Sequence, residues 1–249
     1  MIHRLIRRFF IALTFLTRLP TPLPERVQEA EFTHSQQFYP LIGLLLGGLL
    51  FLAACAGSFF LPPIVLAGLL LAWEIFLSGG LHLDGFMDSM DGLLSSRERQ
   101  CMLDIMKDSH VGAHACICLC ALLLLKFSLL ASLSSGAYGI LILFPAIARW
   151  VVLLAITRYP YARVSGLGKN FHAASRRILL CIQGLLLLTG AFWISGWAGV
   201  SGFCAAVVFT LFFAAYANRQ LNGLTGDIYG AIIEISEVAC LLFALPWLS

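Results

Sequence analysis

Apolar runs of bilayer length recur along this chain and constrain it more tightly than any motif. A helix that crosses a membrane needs about 20 predominantly apolar residues. Seven segments approach or meet that length: 38–61, 62–80, 112–132, 136–157, 178–196, 199–217 and 231–248. Of 249 residues, 60% are hydrophobic and 12% are charged; soluble domains carry about 25% charged residues. The mean hydropathy of +0.91 points the same way. The expected fold is all-α: a polytopic integral membrane bundle of about seven transmembrane helices, forming a single domain over residues 1–249. The long polar stretch that a separate soluble domain would need is absent. Gly43 and Gly47 form a GxxxG pair, which favours close helix contact.

Residues 1–18 read differently. Ile2, Leu5, Ile6, Phe9 and Leu13 recur at helical spacing, with Arg4, Arg7 and Arg8 on other faces. That pattern predicts an amphipathic helix lying in the membrane interface, with the lipid bilayer as its partner. A cleaved leader is the competing reading, but Thr17-Arg-Leu-Pro20 stands where a small-residue cleavage site belongs. Residues 19–37 are polar and proline-rich and read as a loop.

Basic residues orient the bundle. With the amino terminus inside, segments 81–111, 158–177 and 218–230 are inside. They hold Arg97, Arg99, Lys107, Arg158, Arg163, Lys169, Arg176, Arg177 and Arg219, whereas the connections 61–63, 133–135 and 197–198 carry no charge. Lys126 is the exception within a span, and either snorkels or faces the bundle interior. The net charge of +3 gives no footprint for nucleic acid, so no nucleic-acid partner is expected. Seven of the eight cysteines (Cys55, Cys116, Cys118, Cys120, Cys181, Cys204 and Cys240) lie in apolar runs without a CxxC pair, and read as packing residues. Cys101 stands in a polar segment.

The acids do not scatter as topology alone would have it. Asp84, Asp88, Asp91, Glu98, Asp104 and Asp108 occupy the segment after the second span, and Asp227, Glu234 and Glu237 gather near the last. Glu74 lies at the inside end of the second span. Asp84, Asp88 and Asp91, at i, i+4 and i+7, fall within about 60° of one another on a helix. Three carboxylates so placed repel one another unless a cation sits among them. Mg2+, which binds a few carboxylates together with substrate phosphates, suits them as metal ligands. Gly79, Gly80, Gly85 and Gly92 in the same stretch would let a phosphate approach the backbone. The competing reading is a solvated acidic helix face.

Asp104 and Asp108 repeat the i, i+4 spacing, and Lys107 or Arg99 is placed to hold a phosphate. Glu234 and Glu237 are carboxylates inside an apolar span and so are functional candidates. The glycine-rich turn Asn222–Gly230, containing Asp227, enters the last span as an anion-binding helix start would. Arg149 either pairs with Glu74 or another of these acids, or clamps a phosphate. His110 and His114 have zinc-like spacing without a supporting motif. His82 stands two residues before Asp84 as an indirect contributor to the site.

Taken together these stretches resemble a family. Gly79-Gly-Leu-His-Leu-Asp-Gly-Phe-Met-Asp-Ser-Met-Asp-Gly92 is similar to the acidic signature of the cobalamin synthases (adenosylcobinamide-GDP ribazoletransferases). Ile105-Met-Lys-Asp-Ser-His-Val-Gly112 and the stretch Asn222–Glu237 resemble the family's second and third blocks, and Phe15–Pro20 and Phe38–Gly43 also fit. The bulky Phe86-Met87 pair departs from the smaller residues common there. The resemblance implies transfer of the adenosylcobinamide-phosphate group from adenosylcobinamide-GDP to α-ribazole or its 5′-phosphate, with release of GMP. It also implies a Mg2+ requirement and a place in the bacterial inner membrane, with the active site on the cytoplasmic side. On that reading Asp84, Asp88 and Asp91 hold metal. Asp108, Glu234, Glu237 and Lys107 serve catalysis, and Arg149, Arg99, Asp104, Asp227 and His82 serve substrate binding. The basic segment Arg158–Arg177 would meet GDP phosphates or lipid headgroups. A homo-oligomer is compatible with the sequence. Competing functions are a CDP-alcohol phosphotransferase, whose Ala-Arg spacing after Asp-Gly is missing, and a cation-coupled transporter, whose acids belong at the bilayer midplane.

Overall fold

In a computed structural model the chain is described over residues 2–22, 27–163 and 177–248. The apolar segments all become helices, because a backbone in hydrocarbon must satisfy its own hydrogen bonds. In order these are α1 (Ile2–Leu16), α2 (Glu29–Ser35), α3 (Tyr39–Gly57), α4 (Pro63–Ser78) and α5 (Leu81–Leu94). Then follow α6 (Arg99–Ile105), α7 (Ala113–Ala131), α8 (Gly139–Arg158), α9 (Arg177–Leu221) and α10 (Gly226–Ala244). No strand occurs among the described residues; a single bridge joins Tyr161 to Leu224.

Among the described residues, five helical stretches are long and apolar enough to cross a membrane: Glu29–Gly57, Ala113–Ala131, Ser135–Arg158, Arg177–Leu221 and Gly226–Trp247. The bent pair α4 and α5, taken as one broken span, makes a sixth. The all-α polytopic membrane class therefore stands, and the difference from the expected seven lies chiefly in α9. Its 45 residues would rise roughly 67 Å as one rod, about twice the hydrocarbon thickness. The backbone leaves helical geometry at Gly196, with φ 58°. A Cβ on Gly199 would collide with the backbone of Ala191, so the two arms fold against each other there. The expected connection at 197–198 is this break.

The bundle is assembled around α8, which is buried along most of its length and packs against α3, α9 and α10. Gly43 and Gly47 perform the expected close approach, since a side chain at either would strike the α8 backbone near Pro145 and Ile142. The lipid-facing surface is apolar, with Phe60 and Trp193 each 84% exposed. Among the described residues the interior also holds charge, at Glu74, Lys126, Arg149, Glu234 and Glu237, which a soluble core seldom does.

Two departures from the sequence reading concern the amino-terminal region and the α4–α5 turn. The polar segment 19–37 is not all loop: α2 forms within it, with Glu29 and Glu31 in its first turn, where the helix dipole favours acids. Phe32 on α2 packs edge-on against Phe15 of α1 at 5.0 Å, and Arg7 pairs with Glu31 at 3.0 Å. Gly79 and Gly80 both adopt left-handed backbone, with φ 67° and 72°. This conformation is open to glycine at little cost, and it swings α5 through 91° from α4.

Candidate active site

The acids of the sequence separate into three settings. The first is a buried ion network. Lys126 on α7, 2% exposed, donates to Glu74 on α4 at 2.8 Å, and to Glu237 at 2.5 Å and Glu234 at 3.3 Å on α10. Arg149 on α8, 1% exposed, donates to the other oxygen of Glu237 at 2.8 Å and to the Pro145 carbonyl at 3.0 Å. Four helices are thus tied through five side chains. Lys126 faces the bundle interior rather than snorkelling. Arg149 pairs with one of these acids, Glu237. Of the two acids expected to act on substrate, Glu237 has both oxygens engaged, by Lys126 and Arg149, and Glu234 has one, by Lys126.

The second setting is a cavity of about 280 Å³ at the N-terminal end of α10, lined by His82, Asp84, Arg163, Asp227 and Tyr229 among others. It exists because α5 and α10 cross closely. A Cβ on Gly85 would lie 3.0 Å from the Asp227 carbonyl, and one on Gly230 would lie 3.1 Å from that of His82. Gly85 of the acidic stretch and Gly230 of the last block thus serve helix packing. Thr225 caps α10 by accepting from the Ile228 N–H at 3.2 Å. Asp227 follows in the first turn, where Arg163 donates to it at 2.7 Å and the Thr225 hydroxyl at 3.2 Å. Asp88 lies within electrostatic reach of Asp227, Asp84, Asp91 and Arg163. His82 is 4% exposed, and its Nε2 has no partner among the described residues. It lines this cavity and also a void of about 10 Å³ beside Glu74, Lys126, Arg149 and Glu234, and so stands between the two settings.

The third setting is an open cavity of about 450 Å³ lined by Asp91, Arg97, Asp108, His110 and His114. Asp91 is engaged by backbone. Its two oxygens accept from the backbone N–H groups of Gly112 at 2.6 Å and Ala115 at 2.8 Å, capping α7 from a distant helix. Asp108 accepts from the His110 N–H at 3.0 Å and from its imidazole at 2.6 Å. Those bonds to His110 hold the Asp108 carboxyl below its usual range and raise the His110 imidazole above its own. Asp104 accepts from Gln100 at 3.0 Å, and Lys107 stands exposed on the same segment. Arg99 is committed to the Leu221 and Ala162 carbonyls at 2.7 and 2.9 Å, where it ties α6 to the end of α9. The distal part of the basic segment, with Lys169, His172 and Arg176, lies outside the described residues.

Among the described residues no group of three or more His, Cys, Asp or Glu side chains is placed to hold a metal ion. An all-protein cage is not what Mg2+ requires, because it retains waters and binds through one or two carboxylates plus substrate phosphates. Asp84 and Asp227, which share a cavity, with Asp88 close by, are hard oxygen donors of that kind. Arg163 is the residue that sequence reasoning placed only within a basic segment. Its signal was a positive charge close in sequence to a predicted inside boundary; its partner lies 64 positions away.

Comparison with known proteins agrees with the motif blocks. The cobalamin-5-phosphate synthase family model matches residues 8–245. A relative from Desulfitobacterium hafniense (strain Y51) is 53% identical, covering 98% of each chain. One from Pseudomonas aeruginosa (strain UCBPP-PA14) is 40% identical over 95% of this chain and 97% of the relative. One from Brevibacillus brevis is 37% identical over 94% and 96%. All three are named adenosylcobinamide-GDP ribazoletransferase. No solved structure matches the chain.

Proposed function

The chain belongs to the cobalamin-5-phosphate synthase family and is a transferase of cobalamin biosynthesis, and from this premise we propose a Mg2+-dependent phosphotransfer at the Asp84–Asp227 cavity. In the proposed reaction a hydroxyl of α-ribazole, or of its 5′-phosphate, attacks the phosphorus attached to cobinamide in adenosylcobinamide-GDP. A new phosphoester bond forms, the diphosphate P–O bond breaks, and GMP leaves. The membrane is the bacterial inner membrane, with this cavity toward the cytoplasm.

The observation that supports this reading is the meeting of Asp84 and Asp227 from two sequence blocks about 140 positions apart in one cavity beside Arg163. Phosphoryl transfer asks the protein mainly to position reactants and stabilise charge. Asp84 and Asp227, with Asp88, would hold the metal. Bound there, Mg2+ would neutralise diphosphate charge and activate the phosphoryl group. Arg163 is placed to exchange its Asp227 contact for a phosphate oxygen. His82 offers an unpartnered ring nitrogen to orient the attacking hydroxyl. Glu74, Glu234, Glu237, Lys126 and Arg149 hold α10 in place behind the cavity.

The test is GMP release and cobamide formation by purified protein in liposomes, given adenosylcobinamide-GDP, α-ribazole and Mg2+. We expect turnover that stops with EDTA, and a fall of about 100-fold or more in Asp84→Asn and Asp227→Asn, the scale of removing a charge-stabilising contact. Product formed in EDTA, or full turnover by Asp84→Asn, would sink the reading.

A further inference from the structure

The segment Phe15-Leu-Thr-Arg-Leu-Pro20 lies within the residues that the family model matches, yet its arginine does not line the cavity around Asp227. We propose that Arg18 is a phosphate-gripping residue of a second subsite, which seats the nucleotide part of one of the two phosphate-bearing substrates. The inference rests on the proposed reaction and deepens it.

Between the end of α1 and the α4–α5 turn lies an open cavity of about 790 Å³, within the size range of pockets that hold small-molecule and cofactor ligands. Its lining includes Thr17, Arg18, Thr21, Gly79, Gly80 and Asp84. It shares Phe15, Leu81 and Asp84 with the 280 Å³ cavity, so the two adjoin at one carboxylate. A ligand gripped at Arg18 would reach the Asp84 side directly.

Arg18 is held ready for such a ligand rather than used up in the fold. Its backbone N–H donates to the Leu77 carbonyl at 2.7 Å. Its side chain lies across Gly79. A Cβ there would collide with Arg18 Nε and stand 2.9 and 3.0 Å from its Cγ and Cδ. The flanking backbone is pinned as well. The Thr14 and Thr21 hydroxyls meet at 2.6 Å, Thr17 donates to the Leu13 carbonyl at 2.7 Å, and the Leu19 N–H donates to Thr17 Oγ1 at 3.2 Å. Arg18 is an exposed residue and makes no ion pair with a described residue, even though Asp84 lines the same cavity. Arg7, Arg99, Arg149 and Arg163, by contrast, all have protein acceptors. A planar fork of donors, fixed beside glycine backbone in an open cavity, suits a phosphate better than any other group in the proposed reaction. The pre-set conformation lowers the ordering cost of binding.

Steady-state kinetics of Arg18→Ala and Arg18→Lys in liposomes test this, with KM measured separately for adenosylcobinamide-GDP and for α-ribazole 5′-phosphate. Product inhibition by GMP and thermal stability are read alongside. Loss of a charge-assisted contact should raise KM for one substrate on the order of tenfold or more, with melting unchanged and partial rescue by lysine. A rise in donor KM and in the GMP inhibition constant assigns the subsite to the guanosine nucleotide. A rise in acceptor KM alone assigns it to the ribazole phosphate. If both KM values and GMP inhibition stay within twofold of the parent, the inference is overturned. A lowered melting temperature and kcat with unchanged KM values overturn it too, leaving Arg18 as a packing partner of Gly79. An effect seen in anionic liposomes and absent in neutral detergent would make the ligand a lipid headgroup and equally overturn it. An inactive parent protein would instead count against the reaction itself.

Discussion

The buried ion network and the Asp84–Asp227 cavity are both acidic and both touch His82, yet they are built to opposite ends. In the network, Glu74, Glu234 and Glu237 meet Lys126 and Arg149 at hydrogen-bond distance with almost no exposure. In the cavity, Asp84 is exposed and Asp227 half-buried, with Arg163 as the close cation. Carboxylates paired with buried cations hold helices together; charges left under-compensated at an accessible wall are the ones a cationic or phosphorylated ligand can complete. A carboxylate inside a span is thus a weaker pointer to chemistry than one whose partners are missing.

The sharpest way to break this comparison is Lys126→Met. Removing one partner of a buried pair leaves uncompensated carboxylates in the membrane interior, at a cost of about 3–5 kcal/mol. Unfolding of the variant in detergent should shift by that much, and adding Glu234→Gln should recover part of the loss. Were Lys126→Met to melt like the parent while turnover vanished, the network would belong to the chemistry and the division drawn here would fail.

What could be read in the sequence follows from the range of the forces involved. Span positions were legible because hydrophobic burial is written locally, run by run, and the turn at Gly196 fell within two residues of the expected connection. The helix α2 was not, because seven residues with two apolar side chains leave almost no periodic signal, and Phe15 and Phe32 are needed to hold it. The acid-rich face was legible as composition, but not its partition. Lys126 finds its carboxylates 52, 108 and 111 positions away, distances over which a single sequence carries no pairing information. Asp91 misled for a related reason. Capping residues normally stand next to the helix they cap, whereas Asp91 reaches one that begins 22 positions later.

Asp91 therefore separates a metal ligand from a cap. Asp91→Asn keeps one acceptor oxygen and loses the negative charge at the start of α7. That should cost about 1 kcal/mol of stability, with turnover falling far less than in Asp84→Asn. A loss of activity equal to that of Asp84→Asn at unchanged stability would restore the three-aspartate metal site and merge the second and third settings.

The smallest effect lies at the rim, where Asp108 and His110 pair in solvent. The His110 imidazole is raised by Asp108, so its share of the contact is complete below an ordinary histidine's range, about 6.5, and is lost as pH rises through the raised value. The Asp108 carboxyl is lowered, so its share is complete above an ordinary aspartate's range, about 3.9, and is lost as pH falls through the lowered value. The pair is therefore strongest between those two ranges. An NMR titration should place the His110 midpoint above the ordinary histidine value of about 6.5, and Asp108→Asn should return it to that range. Because both side chains are exposed and neither lines the Asp84–Asp227 cavity, the pH profile of turnover should not move with the variant. A profile that shifts together with the His110 midpoint would bring this pair into the reaction, and the Asp91–Asp108 cavity with it.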